Sequence, residues 1–418
     1  MIWELAESVS WAWIAFILYL VAEVWHHYWT ISLVRQIDEI YRTAKLDREV
    51  DIIDHPPWED FTKYWERCSE SFKQCMREWS AAIGADLDEM IHRSRDKHIS
   101  EDFVKDIDPG DCVPMTLWFR TYNSFKIWRT WRYLKRMGFR AIYKSHVHMY
   151  YSVSEPTTFG NASLVDDSEF KKPLLIVFPQ FSGEFQILSV FAELRAVYDI
   201  LFVSPLGTQC SWSFRPGRYA DALEQYLPIA LQYDKISVVS WSAGNLHFQA
   251  LDRFLNLKGL RHKIQTVIRL DPLGYPASNF LVFSGIPLSW SRLRAKFMDL
   301  CTHQYPKNVG WIDYLGSVGF AFLLKTCHGY AYLKQGRMLR GTKLSPAPYV
   351  EHHFCSSFDP CWAKHHPVFE NDRAILCKNV IEHHVDGFHG LWLNQKVIRS
   401  DVFPILTKQP TVHKMHVS

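Results

Sequence analysis

The chain has no excess of charge of either sign. Its 418 residues carry 47 Lys and Arg against 44 Asp and Glu, a formal net charge of +3. That balance excludes a dedicated nucleic-acid binder, which concentrates positive charge against phosphates. A cysteine framework is also missing. The nine cysteines are odd in number and scattered, with no CxxC knuckle. A disulfide-stapled secreted scaffold is therefore excluded, and reduced thiols in a cytosol-facing domain are the simpler reading. Only the sequon Asn161-Ala162-Ser163 points the other way. Internal repeats and low-complexity tracts are absent as well, which removes solenoids and repeat arrays.

Aromatic residues, by contrast, are abundant: 17 Trp, 19 Tyr and 27 Phe. They suit a protein that handles apolar ligands or lies at a membrane interface. With 48% hydrophobic residues, the chain can bury one large core and carry appended elements. A run from Val9 to Trp25 is apolar except at Glu23, with Trp11, Trp13, Trp25 and Trp29 marking its flanks. It approaches the length of a bilayer span, and no small-residue cleavage site follows it. Residues 1–34 thus read as a membrane anchor. Arg35, Arg42 and Lys45 on the trailing side place the remainder in the cytosol by the positive-inside tendency. The alternative for the run is a helix that packs on the globular domain or lies in the membrane interface.

Residues 35–145 read as a helical region, because charged and aromatic residues alternate at helical spacing. Its segment Trp128-Arg129-Thr130-Trp131-Arg132-Tyr133-Leu134-Lys135-Arg136 is basic and aromatic. It reads either as a surface for anionic lipid heads or as a solvated helix face with its Trp stripe toward the core. From His146 to residue 402, strands and helices alternate. Strand-like runs occur at 146–153, Leu174–Phe178, Ile200–Val203, Ile236–Val239, Val267–Leu270, from Val350 and from Asn379. Helical stretches separate several of them, such as Tyr219 to Tyr233. This order predicts an α/β fold with a mostly parallel, doubly wound sheet. Residues of about 276–348 form an insertion rich in large apolar side chains, among them Trp290, Trp311 and Phe320. Placed there, it caps the site as an apolar lid. Residues 403–418 read as a tail without pattern.

The segment Ser240-Trp241-Ser242-Ala243-Gly244 follows the β-branched run and precedes a helix-like stretch from Leu246 to Leu255. A Ser between a strand and a helix, with small residues two before and two after it, is the pattern of a nucleophile elbow. At these residues the chain resembles the α/β-hydrolase family, over about residues 146–400. Ser240 departs from the family, which has Gly there. The resemblance implies a lipase- or esterase-like serine hydrolase with Ser242 as nucleophile. It assigns one oxyanion N–H to Ala243 and a second to Phe181, in the loop Pro179-Gln180-Phe181-Ser182-Gly183. Family order runs Ser, acid, His, which points to His389 as base and Asp359 as acid. Asp271, in Leu270-Asp271-Pro272, is the rival acid.

The implied reaction needs no metal and no organic cofactor. The His pairs 352/353 and 365/366 do not suggest zinc, because adjacent histidines rarely bind one ion and no three-ligand spacing recurs. The expected partners are an apolar or lipid ester and a membrane, with no nucleic acid. Two alternatives stand beside the hydrolase: an acyltransferase with the same triad, and a catalytically inactive hydrolase fold kept as a membrane scaffold.

Overall fold

The computed structural model of the protein describes residues 2–43, 116–152, 172–179, 188–209, 211–242, 244–271, 347–358, 380–388 and 395–407, with residues 70, 73, 77 and 88 singly. An N-terminal helix α1 (Ile2–Thr43) and a second helix α2 (Leu117–Arg136) precede the sheet. The strands are β1 (Arg140–Tyr143), β2 (Val147–Ser152), β3 (Leu174–Phe178), β4 (Asp199–Pro205), β5 (Ile236–Trp241), β6 (Ile264–Leu270), β7 (Val350–Phe358) and β8 (Val380–Phe388). They form one sheet in the order β1-β2-β4-β3-β5-β6-β7-β8. Only β1 and β2 run antiparallel to their neighbours, and every other pairing is parallel.

Parallel strands joined by helices are covered on both faces, so their residues are apolar without alternation. β3, β4 and β5 are buried at every position. Successive side chains still point to opposite faces, and two cores result. Leu174, Ile176, Phe178 and Val238 pack on α4 (Tyr219–Ala230) and α5 (Gly244–Leu257) through Tyr226, Phe248 and Leu251. Leu175, Val177, Val239 and Trp241 pack the other way. There they meet Ile127 and Leu134 of α2 and Leu188 and Phe191 of a short helix α3 (Leu188–Phe191). The C-terminal segment closes this second layer: α6 (Gln395–Val397), a π-helical turn (Ile398–Val402) and α7 (Phe403–Thr407).

Three boundaries differ from the sequence reading. The sheet starts at Arg140, ahead of His146. β1 has four residues, none of them buried, and so carries no apolar run to announce it. α2 belongs to the body, since its buried face enters the same core as the sheet. The C-terminal segment is also built in beyond residue 402: Leu406 is buried, and its carbonyl accepts from Tyr198 Oη at 2.6 Å.

Among the described residues, no helix is long and apolar enough to cross a membrane. Polar residues at and beyond the end of the N-terminal apolar run, Glu23, His26 and Thr30, are used for docking on α2. Glu23 Oε2 accepts from the Leu117 amide at 2.8 Å, capping the free N–H groups of α2, and its carboxylate also receives the Tyr19 hydroxyl. Arg120 is fully buried between the two helices. It donates to His26 Nε2 (2.6 Å), Thr30 Oγ1 (3.0 Å) and the Ser211 carbonyl (2.7 Å), and lies over the Trp29 ring at 4.9 Å. The lid expected at 276–348 lies outside the described residues except for its last two.

Candidate active site

β5 delivers the chain to the carboxyl edge of the sheet at Trp241, and α5 leaves from Gly244. Ser242 stands in the turn between them with φ 47° and is 2% exposed. A positive φ costs a residue with a Cβ, and it persists only where surrounding contacts hold it. Those contacts are present. The Ser242 amide donates to the Leu270 carbonyl at the end of β6 (2.9 Å). Its carbonyl accepts from the Asn245 amide (3.0 Å) and from Asn245 Nδ2 (2.9 Å). Asn245 Oδ1 in turn accepts from Ser240 Oγ at 2.8 Å, and all three residues are buried.

This relay accounts for the departure at Ser240. Ser240 shares the face of β5 that carries Ile236 and Val238 toward α5. Its side chain therefore points under the first turn of that helix, where the hydroxyl holds Asn245. Asn245 was not foreseen from the sequence. Its signal was an amide side chain three residues after the Ser, in the first turn of a helix.

Gly244 sets the second contact. A Cβ there would collide with the Phe178 carbonyl and come within 2.8 Å of the Pro179 oxygen. Only glycine lets the start of α5 press against the end of β3. The elbow is thereby seated beside the strand end that leads into Pro179–Gly183. One turn further along α5, His247 is buried, stacked on Phe178 and edge-on to Tyr219. Burial pushes its imidazole down to about 3, so it stays neutral. Its Nε2 and His146 Nδ1 find no protein partner among the described residues. Both line a cavity of about 10 Å³, the room of a single water.

Of the residues singled out in the sequence, the structure describes Ser242 and Asp271. Asp271 follows β6 directly, is fully buried, and has φ 41°. Its amide donates to the Phe354 carbonyl of β7 at 2.8 Å. Because Ser242 bonds the preceding residue, Asp271 adjoins the elbow. Ala243, Phe181, Asp359 and His389 lie outside the described residues. The strands that lead to two of them are described: β7 ends at Phe358, β8 ends at Phe388, and these two are register partners. His383 and His384 both lie within β8 and face opposite ways. His383 Nε2 meets His352 Nδ1 at 3.0 Å, while His384 is exposed.

No family model and no curated protein matches the sequence. Among solved structures the chain is similar to a naproxen esterase from Bacillus subtilis, at 11% identity, 68% of this chain, 98% of that chain and a TM-score of 0.35. It is similar to the type II thioesterase BorB of a borrelidin biosynthetic cluster, at 14% identity, 63% of this chain, 97% of that chain and a TM-score of 0.37. A membrane phospholipase A described as a bacterial virulence factor is 11% identical over 68% of this chain and 93% of that chain, with a TM-score of 0.41. With its mostly parallel sheet, helices on both faces, and a strained Ser on the turn from β5 to α5, the chain has the doubly wound α/β architecture that its alternation of strands and helices predicts.

Proposed function

We propose that the protein is a serine hydrolase of carboxylic esters, with an apolar or lipid acyl group, working at a membrane surface. The observation that carries this reading is Ser242: a buried residue with positive φ at a strand-to-helix turn, braced by Ser240, Asn245 and the β6 carbonyl. Strain held in place by dedicated contacts marks a functional residue. In the proposed reaction His389 takes the Ser242 proton as the hydroxyl attacks the ester carbonyl. Asp359 holds the imidazole tautomer, and the amides of Ala243 and Phe181 bind the oxyanion. The ester C–O bond breaks, the alcohol leaves with the proton held by His389, and an acyl-enzyme forms; water activated by His389 then attacks it, releasing the acid and returning the proton to Ser242.

The pairing of Phe358 with Phe388 supports Asp359 as the acid, since the chain leaves two adjacent strands side by side just before residues 359 and 389. A second reading takes Asp271 as the acid, favoured by its complete burial and positive φ beside the elbow. Membrane association is supported by α1, where Trp11, Trp13, Leu18 and Val21 are all exposed. Apolar surface of that extent on a soluble protein marks an interaction site.

A fluorophosphonate probe tests the nucleophile. Labelling of the folded protein that disappears in Ser242→Ala is expected. Ester turnover should fall by about 10³–10⁴-fold in His389→Ala and Asp359→Asn, with Asp271→Asn near wild type. The reverse ranking of the two Asn variants moves the acid to Asp271. A folded protein that takes no label ends the hydrolase reading and leaves the inactive scaffold.

A further inference from the structure

α2 buries one face, formed by Arg120, Asn123, Ile127, Thr130 and Leu134. Its other face is not an ordinary solvated one. Trp118, Tyr122, Phe125 and Trp128 are all exposed, Trp118 at 71%, and they recur at the spacing that lines one side of a helix. Arg129, Arg132, Lys135 and Arg136 are exposed among and beyond them, and the helix contains no Asp or Glu. The cations lie on the rings: Arg132 over Trp128 at 4.9 Å and Lys126 over Tyr122 at 5.4 Å. Large aromatic side chains left in water cost free energy in proportion to their area, and a contiguous exposed apolar patch is the mark of an interaction surface.

Its chemistry and its neighbour select the partner. Exposed rings interleaved with cations match the headgroup layer of an anionic membrane, with rings at the interface and cations on phosphates and carboxylates. The α2 N-terminus, with Trp118 in its first turn, begins where Glu23 caps it, at the end of the exposed apolar run of α1. The buried Arg120 fastens the two helices together just behind that point. The aromatic and basic face is therefore continuous with the lipophilic helix.

We propose that the outer face of α2 docks on an anionic bilayer surface and, through the Arg120 clamp, sets how α1 meets it. This rests on the reading of α1 as membrane-associated. The test is flotation of the full-length protein with vesicles of phosphatidylcholine alone, or with about a third phosphatidylserine, at low and high salt. Wild type should prefer the anionic vesicles and lose that preference in high salt. At about fivefold per cation, the triple variant Arg129→Gln, Arg132→Gln, Arg136→Gln should lose roughly a hundredfold of the preference and still bind neutral vesicles. Trp118→Ala with Phe125→Ala should weaken binding to both vesicle types by about tenfold. All these positions are exposed, and an unchanged thermal transition verifies folding. Equal binding of wild type to both compositions, or a triple variant that keeps its preference, overturns the role of α2 and leaves the α1 reading standing. A wild type that floats with neither vesicle overturns both, as does selective retention on an acidic protein surface with no vesicle binding.

Discussion

At Ser240 a hydroxyl stands where the α/β-hydrolase pattern has glycine, and its Oγ donates to Asn245, which itself holds the Ser242 carbonyl. Removing either partner strands a buried polar group, at a cost of about 1–3 kcal/mol. Asn245→Leu and Ser240→Ala should each lower stability in urea unfolding by that order. Together they should cost clearly less than the sum, because the two changes remove one shared bond. Additive losses would mean that the relay does not exist. Reduced fluorophosphonate labelling in Asn245→Leu is expected as well, since the turn that carries Ser242 loses its brace. The strand-to-helix turn at Ser242 was legible because such a turn is written as a contiguous pattern of five residues. Asn245 and Gly244's contact with β3 were not, because what they touch comes from tertiary packing. His247 was hidden for the same reason: its burial depends on Phe178 and Tyr219, distant in the chain.

Between elements, charge pairs carry a pH dependence whose direction follows from the geometry. Arg269 of β6 donates to Glu351 of β7 at 2.9 and 3.2 Å, and His353 Nε2 lies 2.8 Å from the same carboxylate. Burial pushes the Glu351 carboxyl up, but Arg269 and His353 together win and hold it at about 2, below its ordinary 4.5. Between those two pH values the unfolded chain takes up a proton that the folded protein refuses. Stability present above about pH 4.5 is therefore lost as pH falls toward about 2. Glu351→Gln should reduce stability at neutral pH, since half-buried Arg269 loses the charge of the carboxylate it donates to, and should flatten this acid limb in urea titrations. His247 acts in the same direction over a higher window. It stays neutral down to about 3, whereas the unfolded imidazole protonates from its ordinary 6.5. His247→Phe should remove the part of the stability loss that sets in as pH falls below about 6.5. An unchanged profile in either variant would contradict the assignment. The central strands β3, β4 and β5 were legible because both faces are covered, which writes each as a largely apolar run. β1 and α7 were not, being too short for any period to show.

Across the described residues, the proposed chemistry and the proposed membrane contact sit on different parts of the chain. Ser242 lies at the carboxyl edge of the sheet, whereas the exposed apolar residues belong to α1 and the outer face of α2. The join between the two is the Arg120 clamp. Lysine cannot replace its forked guanidinium, which serves three acceptors and covers a Trp ring. The sequence displayed the apolar run but not this clamp, because its members are about ninety residues apart. A separation of effects follows. Ser242→Ala should float with vesicles like wild type and take no probe. Replacing Trp11, Ile14, Leu18 and Trp25 by Gln should abolish flotation while leaving probe labelling and turnover of a short, soluble ester intact. Arg120→Lys should loosen α1 from α2, costing about 3–5 kcal/mol of local stability as a buried network loses geometry. That loss is read as faster amide exchange over His26–Leu33 with the sheet amides unchanged. Should Arg120→Lys instead speed exchange throughout β3, β4 and β5, α1 would be an integral part of the α/β core, and the two parts would not be separable.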